Sequence, residues 1–157
     1  MVTRAWMLAF VIAGVWGVAS AADVVTYHNS PTRSGAYTMP ALTLAAAANM
    51  HPDASFNGVV SGDIYAQPLF WHPKRGNAEV IVATESNAVY ALNASTGAVV
   101  WQATLAAPVP LNQLPCGNID PDGITGTPVI DPRAGVLYLD ALTTSGSGTK
   151  LAPRRDS

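Results

Sequence analysis

Apolar and polar positions alternate in short blocks through the middle of this chain. EVIVAT (Glu79 to Thr84), AVYAL (Ala88 to Leu92) and AVVWQATL (Ala98 to Leu105) are rich in β-branched and aromatic residues, which suit a pleated, half-buried surface. Glu85-Ser86-Asn87 and Asn93-Ala94-Ser95-Thr96-Gly97 separate them and read as tight turns. Asn93 can fold its side chain onto the backbone, and Gly97 can take the positive φ that re-aims the chain. Connections this short cannot make the crossover of a parallel pair, so the pattern predicts an up-and-down antiparallel meander. DIYAQPLFW (Asp63 to Trp71) comes before it, and Lys74-Arg75-Gly76-Asn77 turns the chain between the two. Pro68 lacks a ladder donor and marks a strand start, bulge or edge.

The earlier part of the chain is different. Residues 23–40 are polar and suit a loop or irregular strand, and Leu42 to Met50 (LTLAAAANM) has helix composition that His51-Pro52 stops after one or two turns. At the start, Arg4 is followed by an apolar run from Ala5 to Val18 and then Ala19-Ser20-Ala21. A basic end, an apolar stretch and small residues before a cut after Ala21 form the layout of a secretory signal peptide. The uninterrupted run is fourteen residues, short of the roughly 20 that a membrane-spanning helix needs.

Cleavage there leaves 136 residues (157 − 21), with seven Lys/Arg against ten Asp/Glu, the size of one domain. The basic residues form no stripe; Lys74-Arg75 and Arg154-Arg155 are isolated pairs. That excludes nucleic acid as an expected partner. Cys116 is the only cysteine, so no internal disulfide staples the fold. It has either lost a partner or is buried as a small hydrophobe, and burial is the expectation.

A second unit starts sixty residues after the first: Ala66-Gln67-Pro68-Leu69-Phe70 has a counterpart in Gly126-Thr127-Pro128-Val129-Ile130. Each is followed by a Pro/Gly turn and a β run, WHPKRGNAEVIVAT in one case and DPRAGVLYLDA in the other. Repetition of short β units is a propeller or solenoid signature. After Ala141 the composition changes to TTSGSGTKLAPRRDS, which reads as linker-like or disordered.

The run Tyr90-Ala91-Leu92-Asn93-Ala94-Ser95-Thr96-Gly97, with Trp101 four residues on, resembles the repeat of pyrroloquinoline-quinone-type (PQQ-like) β-propellers, in which Asp or Asn stands at the Asn93 position. TYHNSPTRSG (Thr26 to Gly35), DIYAQPLF (Asp63 to Phe70), VIVATESNAVYALNASTG (Val80 to Gly97) and CGNIDPDGITGTPVID (Cys116 to Asp131) look like the amino-terminal end of exported bacterial members. The resemblance covers roughly residues 23–142. It implies four-stranded antiparallel blades around an axis, with Trp101 packing between neighbouring blades. The quinoprotein dehydrogenases of this superfamily hold the quinone on the axis with calcium, use an aspartate base, and often stack a vicinal disulfide on the cofactor. This chain has one Cys and no Cys-Cys pair, so catalytic, cofactor-binding and metal residues are all left unassigned. Other members of the superfamily use such blades with no cofactor, so the repeat speaks for the fold more than for chemistry.

Individual residues read as structural. Asp120, Asp122 and Asp131 alternate with Pro and Gly but lack the oxygen pattern of an EF-hand loop, and suit polar turns between blades. His28, His51 and His72 share no short metal-ligand spacing. Ser30, Ser34 and Ser61 lack a nucleophile-elbow context. Asn93-Ala94-Ser95 matches the glycosylation sequon, but turn chemistry explains it. Gly123 to Gly126 is not a phosphate loop, because no Gly-Lys-Ser/Thr follows.

The expectation is an all-β chain holding about one and a half blades of a PQQ-like propeller. Its parts are a signal peptide (1–21), an irregular segment with a short helix (22–57), a first blade (58–110), an inter-blade loop with the start of a second blade (111–144), and a disordered tail (145–157). The expected location is periplasmic or secreted, with no stable membrane span after cleavage. Missing blades or a protein partner complete it. The expected role is structural or binding, without a cofactor. The alternative is the amino-terminal part of a PQQ-dependent dehydrogenase of alcohols or sugars, with PQQ and calcium in the full-length parent. One unit and a half is expected to leave both blade faces uncovered and Trp101 substantially exposed, giving a truncated, aggregation-prone product, because repeat units cannot bury their apolar faces alone.

Overall fold

Four strands follow one another at the positions where the β-branched blocks lie: β1 (Leu69–Trp71), β2 (Glu79–Ala83), β3 (Ala88–Asn93) and β4 (Val99–Thr104). The computed structural model describes residues 22–144 and the backbone of 149–151. The proposed signal peptide and most of the proposed tail lie outside the described residues.

The strands form one antiparallel sheet in the order β1-β2-β3-β4. Pro68 directly precedes β1, where its missing N–H removes no ladder bond. Asn93 Oδ1 accepts the backbone N–H groups of Ser95 and Thr96 at 2.9 and 3.1 Å. Gly97 takes φ 76°, and a Cβ there would lie 2.3 Å from the Gly58 nitrogen. The glycine thus serves both the turn and the close passage of a second segment. Between β3 and β4 the register shifts by one residue: Ala91 faces Trp101 while Leu92 faces Val99. The extra residue, Val100, makes a β-bulge.

A second antiparallel sheet contains β5 (Val129–Asp131), β6 (Val136–Leu139) and β7 (Thr149–Leu151). Asp131 Oδ1 accepts from the Arg133 and Ala134 backbone at 2.9 and 3.1 Å, which closes the β5–β6 hairpin. Within the stretch expected to be a disordered tail, Thr149–Leu151 adds a short strand beside β6. Backbone pairing along β6 there outweighs a composition that favours no packed side chains.

The two sheets pack face to face. Leu69, Trp71, Ile81, Ala83, Val89 and Ala91 of the first form one buried cluster with Ile124, Ile130, Leu137 and Ala141 of the second unit. On the opposite face, Val82, Ala88, Tyr90 and Leu92 form another cluster, with Val60 packed on it. That cover is held by Asn57 N–H on the Thr96 carbonyl at 2.9 Å and by Ser61 N–H on the Tyr90 hydroxyl at 3.3 Å. The expectation of two uncovered blade faces is therefore corrected. The half unit lies on one face, and the irregular segment before β1 folds back over the other. Trp101 is correspondingly half-buried against the shared core and not substantially exposed.

One extended segment joins the sheets at the β1 and β5 side. Val24 exchanges backbone hydrogen bonds with Phe70 at 2.7 and 3.0 Å, and the Val25 carbonyl accepts from Ile130 N–H at 2.9 Å. The helix is a single turn, Leu44–Ala48, capped by the Thr43 hydroxyl on Ala46 N–H. Among the described residues no helix is long and apolar enough to cross a membrane.

Candidate functional site

The turn between β2 and β3 is the most polar part of the interior. Thr84, Glu85 and Asn87 are all at most 1% exposed, although Glu-Ser-Asn is ordinary surface-turn composition. The chain turns there because Asn87 adopts φ 55°, a left-handed conformation that Asn tolerates better than most residues. Backbone bonds complete the turn: Thr84 N–H to the Ala88 carbonyl, Asn87 N–H to the Thr84 carbonyl, and Glu85 N–H to the Asp63 carbonyl, each at 3.0 Å.

The second unit supplies the partners of the side chains. Gly123 N–H donates to Glu85 Oε2 at 2.7 Å, and the Thr125 hydroxyl lies 3.1 Å from the same oxygen. Asn87 Nδ2 donates at 2.9 Å to both the Ala106 and the Leu142 carbonyl. It thereby clamps the exit from β4 to the chain leaving β6. A Cβ on Gly123 would lie 2.3 Å from the Glu85 carbonyl oxygen and 2.7 Å from Asn87 Oδ1, so only glycine allows this approach. Glu85 Oε1 and Asn87 Oδ1 are buried without a hydrogen-bond partner among the described residues, each a cost of about 1–3 kcal/mol.

Outside this clasp lies an open cleft of about 340 Å³, lined by Asp122, Thr125, Asp140 and the flanking Ile119, Gly123, Gly126 and Leu142. The Thr125 hydroxyl is also 3.1 Å from Asp122 Oδ1. A hydroxyl has one proton to donate, so it satisfies only one of the two carboxylates at a time. Among the described residues no three His, Cys, Asp or Glu side chains converge as a metal site.

At the opposite end of the same strands, Glu79 is 8% exposed. Burial pushes its carboxyl above the ordinary carboxylate range, and a hydrogen bond from the Trp101 side chain acts in the opposite direction. Its Oε2 has no partner among the described residues. Trp71 and Asn93 stand beside it in register on the neighbouring strands.

The residues considered from sequence are spread over the molecule. Asp120 accepts Leu111 N–H at 2.9 Å and Asp122 faces the cleft. Asp131 caps its hairpin, and the Ala134 and Arg133 backbone N–H groups hold its carboxyl below the usual range. His28 Nδ1 lies 3.1 Å from the Arg33 carbonyl, which can only accept, so that nitrogen carries the proton. The Tyr27 ring stacks on the His28 imidazole at 3.9 Å. His72 pairs with Asp23 at 2.7 Å, and His51 bonds the neighbouring Pro52 carbonyl. Ser30 and Ser34 hydroxyls lie 3.4 Å apart. Asn93 of the sequon spends its side-chain oxygen on the turn. Cys116 is exposed, which corrects the expectation of burial. The larger Leu111 and Leu114 of the same loop are the half-buried apolar side chains there.

Sequence reasoning passed over Glu79, Glu85 and Asn87. A signal for Glu79 was present: it lies two residues before Ile81, so strand alternation puts it on the core face. No such signal exists for Glu85, whose partners are 38 and 40 residues away. No protein-family model matches the chain, and a search of curated proteins found no match.

Proposed function

We propose that this chain is an exported protein of the PQQ-like β-propeller repeat type, periplasmic or secreted, contributing a first blade and the opening of a second. Its role is structural or binding, with no catalytic set of its own. One observation carries this reading: β1 and β5 start sixty residues apart (129 − 69), and their sheets stack face to face around Trp101. The two units also touch at equivalent positions, where Gln67 N–H donates to Thr127 Oγ1 at 2.9 Å across a separation of 60 residues. Short β units repeated at a fixed offset and packed on one another are what a propeller requires. Further blades, or a protein in their place, are the partners of this reading. Val59, Ile64 and Tyr65, 71%, 46% and 57% exposed, offer them apolar surface beside the covered far face.

The second reading is the amino-terminal part of a PQQ-dependent dehydrogenase acting on alcohols or sugars, and the same blade repeat supports it. Titration with PQQ and Ca²⁺, followed by dye-linked oxidation of alcohols and sugars, separates the two. The structural role predicts neither saturable binding nor turnover by this chain. Saturable quinone binding with turnover overturns it in favour of the dehydrogenase.

A further inference from the structure

Glu79 stands beside Trp71 and Trp101, which pack against the second sheet, and its surroundings suit a neutral carboxyl better than a charged one. Strand alternation turns it to the same face as Ile81 and Ala83, which belong to the cluster shared with the second sheet. Among the described residues the Trp101 indole is its side-chain donor, and one carboxyl oxygen is buried without a partner. Trp71 and Trp101, its neighbours, line with Ile81, Ile130, Val136 and Leu137 a gap of about 10 Å³ between the two sheets, at most the room that one water needs. Glu79 itself is 8% exposed and its Oε2 is buried, so an ionised carboxylate there has little access to solvent while the sheets are closed.

No charged group among the described residues is a cause of its shift. Lys74 on the β1–β2 turn donates to the Arg133 carbonyl of the β5–β6 turn at 2.8 Å, and Lys74 and Arg133 both act on Asp131. His72 is engaged with Asp23. The residues beside Glu79 on β1, β3 and β4 are Trp71, Asn93 and Trp101, none of which carries charge. Burial and the indole are the causes that set its carboxyl.

We propose that Glu79 is a proton-operated latch between the two sheets: neutral, it lets the second sheet close over Trp101, and ionised, it loosens that contact. The sign follows from linkage. A carboxyl bound more tightly to its proton in the closed state stabilises that state fully below the ordinary value of 4.5. The contribution is lost as pH rises through the closed-state value. Between those limits the closed-to-open ratio falls by up to about tenfold per pH unit.

The test is tryptophan emission and thermal midpoint of the full chain, followed from pH 4 to 8. The wild type is expected to lose thermal midpoint and shift its emission to the red as pH rises, with a transition above 4.5. Glu79→Gln, which keeps the shape and cannot ionise, is expected to abolish that transition. Trp101→Phe removes the donor that favours the charged form, and is expected to move the transition to higher pH, read from the thermal midpoint. A flat wild-type profile, or the same transition in Glu79→Gln, overturns the latch. So does a Trp101→Phe transition that stays in place or moves to lower pH.

Discussion

The β2–β3 hairpin has a buried glutamate at each end, and the two are treated differently. Glu85, beyond the end of β2, receives a backbone N–H on Oε2, lies against a hydroxyl, keeps Oε1 without a partner among the described residues, and is flanked by Asn87 with both amide protons engaged. Glu79, at the start of β2, has the Trp101 indole and receives no bond from the second unit among the described residues. At the Glu85 end the second unit is held by directional bonds that fix its position. At the Glu79 end it is held by packing around a group whose charge can change. Each carboxyl keeps one buried oxygen without a partner among the described residues, so the difference lies in the backbone and hydroxyl bonds from the second unit that only the Glu85 end receives.

The largest effect should come from disturbing the clasp. Gly123→Ala places a methyl 2.3 Å from the Glu85 carbonyl oxygen, and a clash of that kind with backbone costs about 3 kcal/mol or more. Denaturant unfolding should register it as a large fall in midpoint. Asn87→Ala removes two donors from the Ala106 and Leu142 carbonyls and leaves alanine in a left-handed conformation, a loss of about 2–4 kcal/mol. Asn87→Gly keeps the backbone free and should recover about 1 kcal/mol of that loss. If the alanine and glycine variants prove equally unstable, the left-handed turn contributes nothing separable from the clamp.

The Glu79 end should respond in the opposite direction. Glu79→Gln at pH 7 relieves a charge with a partnerless oxygen and should stabilise the chain by about 1 kcal/mol. The gain should vanish below pH 4.5, where the wild-type carboxyl is neutral. Smallest of all is Asp23→Asn. It weakens the exposed pair with His72, and surface pairs contribute roughly 0–1 kcal/mol. A loss as large as that of Asn87→Ala would move the main tie between the sheets from the clasp to the segment around Val24.

Much of the first sheet was legible because its information is local. Three β-branched runs, the Asn93 side chain and the Gly97 turn predict the meander without reference to distant residues, and Pro68 marks the start of β1. The sixty-residue echo places β5 for the same reason, since Thr127-Pro128 repeats Gln67-Pro68. What was not legible depends on partners far along the chain. Glu85-Ser86-Asn87 looks like a solvated turn until Gly123 and Leu142 lie over it. Trp101 looks exposed until Val136 and Leu137 reach it. Cys116 is small enough to bury, yet it is exposed while Leu111 and Leu114 of its loop are half-buried. The cover over the second face comes from residues 57–63, whose polar and glycine-rich composition gives no periodic pattern to read.

The most direct test of the difference between the two ends is native-state hydrogen exchange of the wild type against Asn87→Gly, followed strand by strand. Loss of the clasp should strip protection from the β5–β6 hairpin, Val129–Asp131 and Val136–Leu139, while β3 keeps most of its own through its two neighbouring strands. Unchanged protection in β5 and β6, or equal loss in β3 and β6, would contradict a second sheet fixed in place by the Glu85 and Asn87 turn.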